Sequence, residues 1–212
     1  MTPDATPDAT PASESTVDRD PLRTVLRVVQ SVATERLGSL RSDPSRVIKA
    51  DMSFDHWISE IRLCFPSIEI SFRAHFTSRI ARLFAKEMLG DDEPIDVLVC
   101  HSFMTEYCNL TAGGLKNLIS DVVAEVETTG DLGLPERKPS FDQVTLPDAN
   151  ARQSLAWKYE TEEGPLVCVA SIVINEDDLL RMQGLSLLRF ADGLRRVHEA
   201  PPPADGFDDF LL

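Results

Sequence analysis

The sequence predicts an α+β fold, an antiparallel sheet packed against long helices, with extra helices toward the N- and C-terminal ends. Three observations carry this reading. Residues 153–161 and 165–174 have the pattern of a hairpin, with Leu155, Trp157 and Tyr159 alternating on its first strand. Residues 57–65 and 68–76 form a second strand pair, turned at Pro66-Ser67. Apolar residues recur at helical spacing after Asp20-Pro21 and again after Pro94.

Each element follows from its local chemistry. Asp20-Pro21 is an N-cap followed by proline in the first helical turn. Leu22, Val25, Leu26, Val29, Val32 and Ala33 then line one face, and Gly38 can end the helix. In the next strands Ile68, Ile70 and Phe72 alternate with Glu69 and Ser71, the signature of a half-buried strand. Thr77 or Ser78 can cap a helix whose face is Ile80, Ala81, Leu83, Phe84 and Met88, closed by Gly90. Pro94 opens a longer helix expected to run to about residue 126, and residues 130–135 punctuate the chain. The strand LVCVASIVI (166–174) is apolar on both faces, as a central strand should be. Asn175 caps a leucine-rich helix over 176–197, carrying Leu179, Leu180, Met182, Leu187, Leu188, Phe190 and Leu194, and the prolines at 201–203 end it.

The chain divides into a low-complexity acidic tail (1–19), a single domain (20–198) and a flexible acidic tail (199–212) that ends in FDDFLL. It has 212 residues, 35 acidic against 21 basic, and a net charge of −14. With no basic stripe, neither a phosphate backbone nor an anionic membrane surface is an expected partner. Cys64, Cys100, Cys108 and Cys168 show no metal-ligand spacing and lie within apolar patterns, so they read as reduced core residues. The N-terminus lacks a signal-peptide pattern and no apolar run could span a bilayer, so the cytoplasm is the expected location.

Chemistry concentrates on the helix after Pro94. At about 100° per residue, Phe103, Met104, Tyr107, Cys108, Leu110, Thr111, Leu115, Leu118 and Ile119 spread over one broad face. Opposite them Ser102, Glu106, Asn109, Gly113 and Lys116 line up as a narrow stripe. A carboxylate and a carboxamide thus share one side, one turn apart. Taken alone, such a stripe also describes an ordinary solvated helix face. Gly113 costs the helix roughly 0.8–1 kcal/mol relative to alanine and leaves room for a partner to approach. His101 lies beside the stripe but off it, and His56, His75 and His198 are scattered. AGGLKN (112–117) lacks the spacing of a phosphate loop.

The arrangement Ser102-x3-Glu106-x2-Asn109 resembles the active-site signature of the CheC/CheX/FliY chemotaxis phosphatases. FMTEYCNLTAGGLKNLI (103–119) resembles CheX, including a glycine four residues after the asparagine. GDLGLPERKP (130–139) resembles the segment leading to the family's proline, and WKYETEEGPLVCVASIVI (157–174) its closing hairpin. The resemblance spans about residues 50–175. It departs from the pattern at the proline, expected at position 132, where Leu132 stands; Pro135 follows three residues later, as an insertion in the ETTGD turn would produce. The helices at 20–38 and 176–197 and both tails lie outside it.

The resemblance implies a phosphatase acting on the phosphoaspartate of a CheY-type receiver domain. It implies that Asn109 orients the attacking water and Glu106 docks to the receiver's lysine, with Ser102 and Gly113 in support. It implies no cofactor of the chain's own, Mg²⁺ being supplied by the receiver, and admits a homodimer. The alternative is a module of the same fold that binds a receiver or a flagellar-switch protein without turnover.

Overall fold

The computed structural model describes residues 20–40, 42–47, 56–65, 68–90, 95–123, 131–140, 150–174 and, singly, 192, 193 and 196. Both tails, and the predicted 176–197 helix apart from the helical residues Asp192, Gly193 and Arg196, lie outside them.

The described elements run α1 (Pro21–Glu35), a 3₁₀ turn (Gly38–Leu40), β1 (Ser45–Arg46), β2 (His56–Cys64), β3 (Ile68–Phe76), α2 (Ser78–Leu89), α3 (Val97–Val123), β4 (Asp131–Leu132), β5 (Glu136–Ser140), β6 (Gln153–Thr161) and β7 (Gly164–Ile174). The sheet is antiparallel in the order β1-β6-β7-β3-β2, with β4 and β5 both pairing along the outer edge of β2. The α+β class and both hairpins are as expected. Among the described residues, no helix is long and apolar enough to cross a membrane.

Local chemistry sets the helix ends. The Asp20 carboxylate accepts from Leu22 N–H at 3.1 Å and from the Gln153 amide at 2.7 Å, so one cap starts α1 and ties it to β6. Helix α1 ends at Glu35, before Gly38, whose φ of +58° begins the 3₁₀ turn. Thr77 caps α2, and Gly90 at φ +90° closes it in a conformation that L side chains rarely adopt. Asp96 caps α3, accepting from Leu98 N–H at 2.7 Å.

Paired residues share a face of the sheet. Ile61, Phe72, Ala170 and Leu155 therefore lie together, as do Ser59, Ala74, Cys168 and Trp157. Helices α1 and α3 cover this first face. Tyr107 on α3 meets the Phe72 ring edge-on at 5.8 Å and donates to the Ala33 carbonyl of α1 at 3.1 Å. The Thr34 and Tyr159 hydroxyls bond at 2.7 Å, joining α1 to β6. Each fully buried side chain of Leu or Phe size contributes about 1.5–3 kcal/mol. Burial pushes the Tyr107 phenol well above its usual range.

The second face differs from expectation. Ser71, Arg73 and His75 on β3 are buried, so β3 is not the half-exposed strand its alternation suggests. They lie with Ile58, Glu60, Val167, Val169 and Ser171, also buried. Arg73 meets Glu60 at 3.0 Å, and the His56 and His75 imidazoles bond at 2.9 Å. Cross-strand pairing gives Arg73, Glu60, His56 and His75 polar partners away from water. The cysteine reading needs one correction: Cys64, at the end of β2, is exposed, whereas Cys100, Cys108 and Cys168 are buried. Burial holds the Cys108 thiol up at about 12.

Candidate functional site

Helix α3 turns one side to the core and one side outward. Cys100, His101, Met104, Tyr107, Cys108, Thr111, Ala112, Leu115 and Ile119 are buried. On the other side Ser102 and Glu106 are exposed, and Asn109, Gly113 and Lys116 are half-buried. The stripe read from spacing is therefore one continuous outward surface. The Asn109 amide nitrogen donates to the Glu106 carboxylate at 3.3 Å, so the two groups stand side by side. Ser102 donates to the Leu98 carbonyl one turn back at 3.0 Å, which commits its hydroxyl to the helix. Chemically, the pair offers one anionic acceptor and one neutral group able to donate and accept. Among the described residues no cluster of three His, Cys, Asp or Glu could hold a metal ion.

The two glycines have different surroundings. A Cβ at Gly113 would meet nothing within 4 Å, whereas one at Gly114 would lie 3.1 Å from Val32 and 3.2 Å from Arg36 of α1. Gly114 thus marks the close approach of two helices, and Gly113 lies open on the stripe. Gly113→Ala is expected to raise stability by about 0.5–1 kcal/mol, because alanine is the better helix former. Gly114→Leu is expected to lower it by about 1–3 kcal/mol through overpacking against α1. Urea unfolding of the two variants checks both signs.

Three exposed apolar residues on or beside the stripe escaped the sequence reading. Leu110, expected on the buried face, is 43% exposed, and Leu98 and Val99 are 63% and 45% exposed. The wheel carried a signal: Leu98 falls at the same angle as Lys116, within the polar stripe.

His101 anchors the stripe from beneath. Its Nε2 and the Ser78 hydroxyl of α2 bond at 3.0 Å, and its ring packs 4.7 Å from Trp57 and 5.5 Å from Phe76. Burial, helped by the Arg137 charge, lowers its pKa from 6.5. A pKa lower in the folded than in the unfolded state means that the unfolded chain binds more protons. The contribution of neutral His101 is therefore complete above pH ~6.5 and declines as pH falls below it. Stability measured by urea unfolding from pH 8 to 5 is expected to fall less steeply below pH ~6.5 in His101→Gln than in the wild type.

A groove of about 510 Å³ lies elsewhere, between α2 and the β6–β7 turn, lined by Ser78, Arg79, Arg82, Leu83, Lys86, Glu162 and Glu163. None of the stripe residues lines it. The candidate site is an open helix face, suited to a macromolecular surface. Leu132, at the position of the expected proline, pairs with Leu63 in the sheet, and Pro135 lies in the link between β4 and β5.

No family model and no curated protein matches the chain. Solved structures do match its fold. A CheC-like superfamily protein from Shewanella sp. PV-4 aligns with a TM-score of 0.55 at 17% identity, over 70% of this chain and 97% of that one. The chemotaxis protein CheX from Vibrio vulnificus aligns at 0.53 and 16%, over 70% of this chain and 98% of that one. CheX from Desulfovibrio desulfuricans aligns at 0.52 and 15%, over 71% and 99%. At these identities the likeness is one of fold: this chain has the CheC/CheX fold. A little under a third of it lies outside each match.

Proposed function

We propose that this chain, folded as the CheC-like and CheX proteins are, is a phosphatase that hydrolyses the phosphoaspartate of a CheY-type receiver domain. The observation that carries the reading is the Glu106–Asn109 pair, hydrogen-bonded at 3.3 Å on the outward side of α3. An acyl phosphate already has a good leaving group, so catalysis consists largely of placing a water in line with the bond that breaks. The neutral Asn109 amide can hold that water without repelling the phosphoryl oxygens. Glu106 pairs with the receiver's lysine and fixes the register of the two proteins. The water oxygen bonds to phosphorus, and the aspartate carboxylate leaves with the electron pair of the P–O bond. The water's protons depart on inorganic phosphate. The receiver supplies the Mg²⁺ that neutralises phosphoryl charge; the chain contributes orientation and a charged contact. Ser102 and Gly113 support the helix geometry and the partner's approach.

The exposed Leu98 and Leu110 also suit a second reading, a module that holds a receiver without turnover. Phosphate release from a panel of phosphorylated, Mg²⁺-loaded receiver domains separates the two. Acceleration of at least one receiver is the expected result. Phosphorylation-dependent binding without acceleration would make the chain an adaptor, and neither effect would overturn both readings.

A further inference from the structure

Leu98, Val99 and Leu110 are large apolar side chains left open to water on the side of α3 that carries Glu106 and Asn109. Leu98 lies one turn before Ser102, and Leu110 one turn after Glu106. Together with half-buried Phe103 they border the polar stripe over roughly 18 Å of helix. Exposed apolar residues gathered on one face mark an interaction surface, whereas scattered ones need no account. Apolar surface around a polar centre is also the anatomy of a protein interface, where most binding energy comes from a few desolvated side chains.

We infer that Leu98, Val99 and Leu110 are the docking determinants that seat the receiver domain on α3, providing affinity while Glu106 and Asn109 provide register and turnover. This deepens the reading above and rests on it. The charge pattern selects the occupant. The stripe within this border has one carboxylate, Glu106, so a partner must bring a cation among apolar side chains or strand that carboxylate away from water. A second copy of this chain meets that requirement only where the contact shifts along α3 toward Lys116, off the apolar border. A two-fold contact centred on the border sets Glu106 against a serine, and each copy carries a net charge of −14. The lysine of a receiver's phosphorylation site meets it.

The test compares Leu98→Asp, Leu110→Asp and the control Met88→Asp, which alters a residue 68% exposed on α2. Circular dichroism and thermal melts first establish that each is folded, with Leu98→Ala and Leu110→Ala as milder substitutes. Both border variants are expected to raise KM for the phosphorylated receiver about tenfold or more, with kcat nearly unchanged and the control unaffected. An unchanged KM in both, alongside lost turnover in Asn109→Ala, would overturn the docking role and leave the phosphatase reading intact. If the wild type turns over no receiver, the phosphatase reading fails by itself. Affinity for a phosphorylated receiver is then measured directly, and border variants that bind as tightly as wild type overturn the inference. Concentration-dependent dimerisation that both aspartate variants abolish would assign the surface to a second copy and also overturn it.

Discussion

Asn109→Ala is expected to slow phosphate release from the phosphorylated receiver by about 10²–10³-fold, the usual cost of removing one preorganised polar group from a reacting centre. Binding should change by no more than about threefold, because the amide acts on water at the reacting phosphorus and contributes little to holding the partner. Asn109→Asp should fare no better despite its similar size. It places a second carboxylate beside Glu106 and turns a neutral group into one that repels the phosphoryl oxygens. Glu106→Gln keeps the shape and loses the charge, so its main effect should fall on binding and on salt dependence. Single-turnover phosphate release, measured together with receiver affinity, separates these effects. Wild-type turnover in Asn109→Ala would remove the amide from the mechanism.

Glu60→Leu is expected to destabilise the fold by about 3–5 kcal/mol, the range for breaking a buried ion pair. For a chain of this size that lowers Tm by roughly 10 °C or more. The Glu60 carboxylate meets Arg73 at 3.0 Å and Arg62 at 3.2 Å. The two arginines respond differently. Arg62 is half exposed and can turn its charge to water, whereas the Arg73 side chain is 4% exposed and loses its buried counter-charge. The double variant Glu60→Leu/Arg73→Met should recover most of the loss, since an apolar pair carries no desolvation penalty. Urea unfolding of both single variants and the double variant checks this. A loss below about 1 kcal/mol in Glu60→Leu would mean that the pair is held by other contacts.

The legible parts of the fold have local causes. The cap at Asp20 and the proline after it announce α1, and the alternation of Leu155, Trp157 and Tyr159 announces β6. Strand β5, read only as the approach to a proline, could not be seen in its sequence. Its five residues, ERKPS, are charged or turn-forming, and it exists because its backbone completes the edge of β2. The burial of Ser71, Arg73 and His75 was hidden for another reason. Polar residues in alternation signify solvent unless they are paired, and the partners of Arg73 and His75 lie on the neighbouring strand β2. At the candidate site, the alignment of Ser102, Glu106, Asn109 and Gly113 on one side follows from helix periodicity alone. The exposure of Leu98 follows from its place on the polar stripe, whereas that of Leu110 depends on where α1 and the sheet stop covering α3, which no local pattern encodes.

The strand order has a consequence for how the chain reaches its structure. β2–β3 and β6–β7 are hairpins, each closed by a short turn, yet the sheet becomes whole only when β3 finds β7. That register sets Ile68 against Ile174 and His75 against Val167, partners about a hundred residues apart. Loop-closure entropy must be met before this central pairing yields anything, so it forms late. Refolding should accordingly take milliseconds to seconds, as for other sheets built on distant pairings. Until then two hairpins with open apolar edges coexist in one chain, and that interval is when it is most prone to aggregate.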